Sequence, residues 1–298
     1  MARKVLLISA LAFLVVNLAE ANERKNSEQP KADMNFLTDE ILAGRKVGTN
    51  GEDASALYIK SRLESLGYEA TIATFSIKDC WHAHETPVNG KNVLALLKGS
   101  GRKSEEVIVI SAHFDGVGSS SMTFRPAADD NASGTVALLA LAEKLKTRKW
   151  NRSILLAYFS GEEAAGCGST AFSQSVSSDN FRWNINLDMV GRPRTSSLTV
   201  MMLTGNDDQS ELVSVFQKAV KKTRLKLVLG KDLPEYPPWG WASDHRSFRD
   251  VGIPSVMVSD GNGSVIHGPQ DVKETINFDY LNEATNLVFE ALKRLDKR

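Results

Sequence analysis

Two hydrophobic periods alternate along the chain. Val107 to Ala112 is apolar apart from Ser111, and Ser153 to Phe159 is a second short apolar run. Runs of this length between turn residues predict strands buried on both faces, as in a parallel sheet. Thr71 to Ile77, Asn92 to Leu97, Arg182 to Leu187, Leu198 to Leu203 and Ser255 to Val258 predict further strands, the first two as neighbours. Between strands the period becomes helical. Ala56, Ile59, Leu63 and Leu66 recur at helical spacing, with Asp53 as the expected cap and Gly67 as the stop. Gly134 to Leu145 is apolar almost all round, Gln209 to Lys222 is amphipathic, and the closing helix carries Phe278, Leu281, Val288, Leu292 and Leu295 on one stripe. Phe36, Ile41 and Leu42 predict a short helix ending near Gly44. Strands alternating with helices predict a single α/β domain, doubly wound, with the sheet layered between helices.

Charge and cysteine content narrow the function without naming it. Lysine plus arginine balances aspartate plus glutamate at 36 each, which gives no basic surface for nucleic acid and no bias toward a membrane. The two cysteines, Cys80 and Cys167, exclude a disulfide-built scaffold and leave a single bridge open. Arg3 and Lys4 followed by an apolar run from Val5 to Leu18 and by Ala19-Glu20-Ala21 predict an export signal over residues 1–21, cut after Ala21. Residues 22–33 are polar and are expected to be a mobile linker, with the folded domain at 34–298. The expected location is secreted or periplasmic, with no stable membrane association after cleavage.

Ligands in an open α/β sheet bind beyond the carboxyl ends of the strands. There the sequence places His113 and Asp115, then Asp129, Asp130 and Asn131, then Glu162 and Glu163, then Asp188, and finally His267. Adjacent side chains at a strand end diverge, so one of Glu162 and Glu163 can face a metal while the other faces substrate. A metal hydrolase needs that division, one group holding the cation and one taking a proton from the attacking water. Imidazole with carboxylate suits zinc. The carboxylates exceed the needs of one zinc, and two metals sharing one carboxylate would use them. Asp130, followed by small polar residues at a helix start, is the best bridge. Asp115 could accept the free N–H of His113 and fix its ring. His82-Ala83-His84 beside Cys80 could bind metal, although a surface loop is the commoner outcome for such a segment.

The chain resembles the co-catalytic two-zinc exopeptidases, the family of aminopeptidase Y and glutamate carboxypeptidase. The matching pieces are Ala43-Gly44-Arg45 with Gly48-Thr49, Asn92-Val93, His113 with Asp115, Ala128-Asp129-Asp130-Asn131-Ala132-Ser133-Gly134, Gly161-Glu162-Glu163 with Gly168-Ser169, Leu187-Asp188-Met189-Val190-Gly191, Ser243-Asp244-His245, Gly252-Ile253-Pro254, and His267-Gly268-Pro269 with Asp271. The resemblance implies a three-layer α/β/α fold with a mixed, mostly parallel central sheet in one catalytic domain. It implies two zinc ions, one held by His113 and Asp188, the other by Glu163 and His267, with Asp130 bridging. Glu162 would be the general base and Asp115 would orient His113. Peptides are the implied substrates. The chain has no protease-associated insertion, so it resembles the compact members. An aromatic stretch, Tyr236-Pro237-Pro238-Trp239-Gly240-Trp241, could wall a substrate pocket or pack on its rim. Two rivals remain at this stage, a single-zinc glutaminyl cyclase on a related fold and a binding module that has lost its chemistry. Carboxypeptidase or dipeptidase action would need a cationic clamp, for which Arg125, Arg192 and Arg194 are the candidates.

Overall fold

A computed structural model describes residues 28–77, 88–194, 199–203, 211–233 and 242–298. The export signal, the Cys80–His84 segment and the aromatic stretch at 236–241 lie outside the described residues. Helix α1 spans 28–37. It is followed by α2 (Asn50–Ser65), β1 (Ala70–Ser76), β2 (Asn89–Leu97), β3 (Val107–His113), α3 (Gly134–Leu145), β4 (Ser153–Phe159), α4 (Cys167–Ser175), β5 (Phe181–Leu187), β6 (Thr199–Leu203), α5 (Glu211–Ala219), β7 (Lys226–Leu229), α6 (His245–Asp250), β8 (Ser255–Ser259) and α7 (Phe278–Leu295).

Among the described residues eight strands form one sheet in the order β1-β2-β4-β3-β5-β8-β6-β7. Its centre, β4-β3-β5-β8, is parallel, and antiparallel pairings join β2 to β4 and β6 to β8. The mixed, mostly parallel sheet is therefore as expected. Both faces are covered, and the strand period shows how. Ile108, Ile110 and Ala112 of β3, with Ile154, Leu156 and Tyr158 of β4, pack into one core with α2, α3, α5 and α7. The intervening Val109, Leu155, Ala157 and Phe159 face the other way, onto Phe172 of α4 and Phe248 of α6. Alternate side chains on opposite faces, each meeting helices, are what a three-layer structure requires.

Register aligns the strand ends that carry the chemistry. His113 of β3 stands opposite Phe159 of β4, Ser111 opposite Asn186 of β5, and Leu187 opposite Val258 of β8. The residues that follow these four strands thus emerge along one edge.

Three local expectations need correction. Residues 28–33 belong to helix α1 and are not a linker. That helix is anchored by Met34 and Leu37, both buried, and by the buried Asp33, which accepts from Arg62 Nε at 2.8 Å and Tyr58 Oη at 2.6 Å. Most of its contact is concentrated in its last turn and in one carboxylate, so its composition reads as solvated. The expected helix from Phe36 to Leu42 is instead the end of α1 and a separate turn, Glu40–Leu42, in which Ile41 is 82% exposed. Helix α2 is capped by Thr49, which accepts from Glu52 N, while the Glu52 carboxylate accepts in return from Gly48 N at 2.6 Å. The cap satisfies the Glu52 N–H, the Glu52 carboxylate satisfies the N–H just before the cap, and Asp53 is left in the first turn.

Candidate functional site

The turn Ala128–Ser133 joins the long loop after β3 to helix α3, and it delivers Asp130. Asn131 ties the turn to the end of β5: its Nδ2 donates to Leu187 O at 2.9 Å, and its Oδ1 accepts from Gly134 N and Met189 N at 2.9 and 3.1 Å. A Cβ on Gly134 would lie 2.5 Å from Leu187 O, so only glycine permits this approach. Asp271 fixes the turn from below, accepting from Asp129 N at 2.8 Å and Asp130 N at 3.0 Å.

Two groups of donors result. His113 Nε2 lies 3.4 Å from Asp130 Oδ1 and 3.4 Å from Asp188 Oδ1. His267 Nε2 lies 3.1 Å from Asp130 Oδ2 and 3.0 Å from Glu163 Oε2. Each set, His113-Asp130-Asp188 and Asp130-Glu163-His267, converges closely enough to share one cation, and Asp130 offers one oxygen to each. Tetrahedral coordination at about 2.0–2.1 Å places neighbouring donors roughly 3.3 Å apart, which these separations match. His113 Nε2 is buried without a hydrogen-bond partner among the described residues, as is Glu163 Oε1. Buried polar atoms left unpaired inside such a cluster are what a bound cation would satisfy. The residues fit zinc.

The surroundings position these groups. The Asp115 carboxylate lies 3.4 Å from His113 Nδ1 and also accepts from Glu162 N at 3.2 Å and Glu163 N at 3.3 Å. Asp115 thus meets the histidine of one donor set through its backbone carbonyl, 3.3 Å from His113 Nδ1, as well as through its carboxylate, and its carboxylate holds the backbone of the turn that carries the other. Asp188 is backed by a buried polar chain. Ser243 Oγ donates to its Oδ2 at 2.5 Å, Asn186 Nδ2 donates to Ser243, Ser111 Oγ donates to Asn186 Oδ1, and Asn184 Nδ2 donates to Ser111.

Electrostatics follow from packing so many carboxylates together. Burial, reinforced by Asp188, Asp244 and Glu163, raises the Glu162 carboxyl well above the ordinary range, although the charged form of His113 opposes this. Burial lifts Glu163 to about 7. Burial disfavours charge on Asp130, but the imidazoles of His113 and His267 facing its two oxygens prevail and lower it. Burial would lower His113, yet Asp188, Asp115 and Asp130 outweigh it and hold the imidazole well above its usual value. Hydrogen bonds to Asp130 and then Glu163 raise His267 to about 10.

The structure brings together His113, Asp115, Asp130, Glu162, Glu163, Asp188 and His267. It separates Asp129 from them: Asp129 Oδ1 accepts from Gly191 N at 2.9 Å, facing the loop after β5. Arg125 donates to the Gly118 carbonyl at 3.2 Å. Sequence reasoning gave no role to Asp271, Asn131, Ser243 or the Asn184–Asn186 pair. It also passed over Asp244, a carboxyl with no exposure that burial lifts to about 7. Ser111 in an apolar strand and two asparagines two residues apart in β5 were the available signal, because polar side chains on one buried strand face need partners. Cys167 is disulfide-bonded, and the other cysteine, Cys80, lies outside the described residues.

Comparison with known proteins bears on the family and the fold. Aminopeptidase YwaD of Bacillus subtilis is 29% identical over 227 residues, which is 71% of this chain and 47% of YwaD, so the chain spans about half of that relative's length. The crystal structure of a zinc aminopeptidase from Bacillus subtilis superposes with a TM-score of 0.74 at 20% identity, covering 90% of this chain and 95% of that one. A glutaminyl cyclase from Fimbriiglobus ruber superposes with a TM-score of 0.71 at 17% identity, covering 89% and 94%. At such identities the superpositions establish the fold alone. The sequence model of peptidase family M28 matches residues 92–292, more than half of the chain, and the chain therefore belongs to peptidase family M28, a family of zinc-dependent hydrolases.

Proposed function

We propose that the chain is a two-zinc aminopeptidase that releases N-terminal residues from peptides. The observation that carries this reading is the pair of donor sets meeting at Asp130. His113 and Asp188 would hold one zinc and Glu163 and His267 the other. Bound zinc would polarise the scissile carbonyl and acidify the attacking water. The remaining work falls to the protein. Glu162 takes the proton from that water and returns it to the leaving amine. A carboxyl raised by burial and neighbouring carboxylates holds a proton more readily than an ordinary glutamate, which suits a group that must take one and give it back. Asp115 keeps His113 and the Glu162–Glu163 turn in mutual register. The predicted signal over residues 1–21 extends the reading to a secreted or periplasmic enzyme, and no described helix is long and apolar enough to cross a membrane.

A glutaminyl cyclase shares the fold and would need only one zinc. Two peptides separate the readings, one beginning Gln-Leu-Phe and its N-acetylated twin, each incubated with zinc-loaded protein and followed by mass spectrometry. Stepwise shortening of the free peptide alone is expected. Loss of ammonia without shortening would make the protein a cyclase, and shortening of both peptides from the far end would make it a carboxypeptidase.

A further inference from the structure

Arg45 is a guanidinium with no exposure to solvent. Its Nε donates to Phe114 O at 2.7 Å, its Nη1 to Pro126 O at 2.8 Å and to the Leu37 carbonyl, and its Nη2 to Ala127 O at 2.7 Å. All four acceptors are backbone carbonyls, and their places in the chain are informative. Phe114 lies between His113 and Asp115. Pro126 and Ala127 lead directly into the turn of Asp130. Leu37 ends helix α1. One side chain therefore joins the strand end that supplies His113 to the turn that supplies Asp130, and joins both to the N-terminal helix.

The backbone that presents Arg45 is built for the purpose. Ala43, Gly44 and Arg45 have φ of +47°, +74° and +54° in succession. Non-glycine residues in this region are strained and persist where surrounding structure fixes them. A Cβ on Gly44 would lie 2.5 Å from Arg125 O, so the turn also needs glycine to sit against the loop after β3. Burial lowers the guanidinium to about 10, opposed by Asp115, Asp271, Asp130 and Glu163, so it stays charged at neutral pH. A fixed cation behind a cluster of carboxylates offsets part of their mutual repulsion before any metal arrives.

We propose that Arg45 is a positioning residue of the metal centre, clamping the His113–Asp115 strand end to the Asp130 turn so that the donors stand at coordinating distance before a cation binds. This inference rests on the metal-binding reading of the site. The test is the zinc dissociation constant, by competition with a chromophoric chelator, together with the thermal midpoint with and without zinc. Arg45→Lys keeps the charge but cannot reach four carbonyls with one ammonium. Leu63→Ala, in the α2 core, is the control for general destabilisation. Loss of an outer partner of metal ligands weakens binding about 10–100-fold, which is the loss expected for Arg45→Lys, with a smaller zinc-induced rise in midpoint. Leu63→Ala should lower the midpoint and leave the zinc constant within about twofold. If Arg45→Lys does not fold, Gly44→Ala decides, since it displaces the turn and keeps the guanidinium, and it should weaken zinc in the same sense. Zinc constants unchanged in the folded variants, while wild type binds zinc, would overturn this inference alone. Wild-type protein that binds no zinc would overturn the metal reading and this inference with it.

Discussion

The two donor sets that meet at Asp130 are built from different material. The inner one uses His113 at the end of β3 and Asp188 just beyond β5, with side chains 0% and 9% exposed. Its outer partner uses Glu163 from the turn after β4 and His267 from the loop after β8, and the His267 side chain is 50% exposed. The inner set is locked by sheet register, by the Asn184-Ser111-Asn186-Ser243 chain and by Asp115. The outer set depends on Asp115 for its turn and on a loop for its histidine. Rigid placement at one position and access at the other suit the proposed aminopeptidase, which would hold a cation while admitting a peptide end.

Changes at each part should separate these roles. Glu162 belongs to neither donor set, so Glu162→Gln should lower kcat by about 10²–10⁴-fold with zinc content unchanged by elemental analysis. Normal turnover in that variant would mean the base has been misassigned. His113→Ala and His267→Ala test the asymmetry itself. The first empties a buried position and exposes Asp130 and Asp188 to each other's charge, so zinc content, activity and thermal midpoint should all fall. The second removes a half-exposed ring together with its pairing to Asp130 and Glu163, so activity and one zinc should be lost, and the metal-free protein should lose less stability than His113→Ala does in denaturant titration. Equal destabilisation by both would erase the distinction. Asp115→Asn keeps shape and weakens acceptance, and should cost about 10–100-fold in zinc affinity at both positions, because Asp115 serves both.

The smallest effect is a pH signature of the outer position. In the metal-free site His267 holds its proton up to about 10 and Glu163 up to about 7. A cation must displace those protons, so outer-site affinity should fall as pH drops. Release should approach about two protons per ion below pH 7 and about one between 7 and 10. Calorimetry in buffers of different ionisation enthalpy counts them, and proton-neutral binding at pH 7 would contradict the geometry of His267.

Much of this centre was legible because its residues follow strands. His113, Glu162, Glu163 and Asp188 each come within four residues of a strand end, where a hydrophobic run gives way to charge. The supporting layer was harder to read. Thr49 rather than Asp53 caps α2 because Glu52 turns inward to accept from Gly48 N just before the cap and from Lys91 N of β2 at 2.8 Å, a choice made by tertiary contact. Helix α1 was hidden by its polar composition. Arg45 stood in a recognised motif but its role did not, since four carbonyls drawn from three segments come together only in the fold.

Zinc stoichiometry tests the account most directly. Native mass spectrometry of zinc-loaded wild type, beside His267→Ala, should give two ions per chain in the first and one in the second. One ion in both would leave the outer donors without a metal, contradict the shared role of Asp130 and move the protein toward the cyclases.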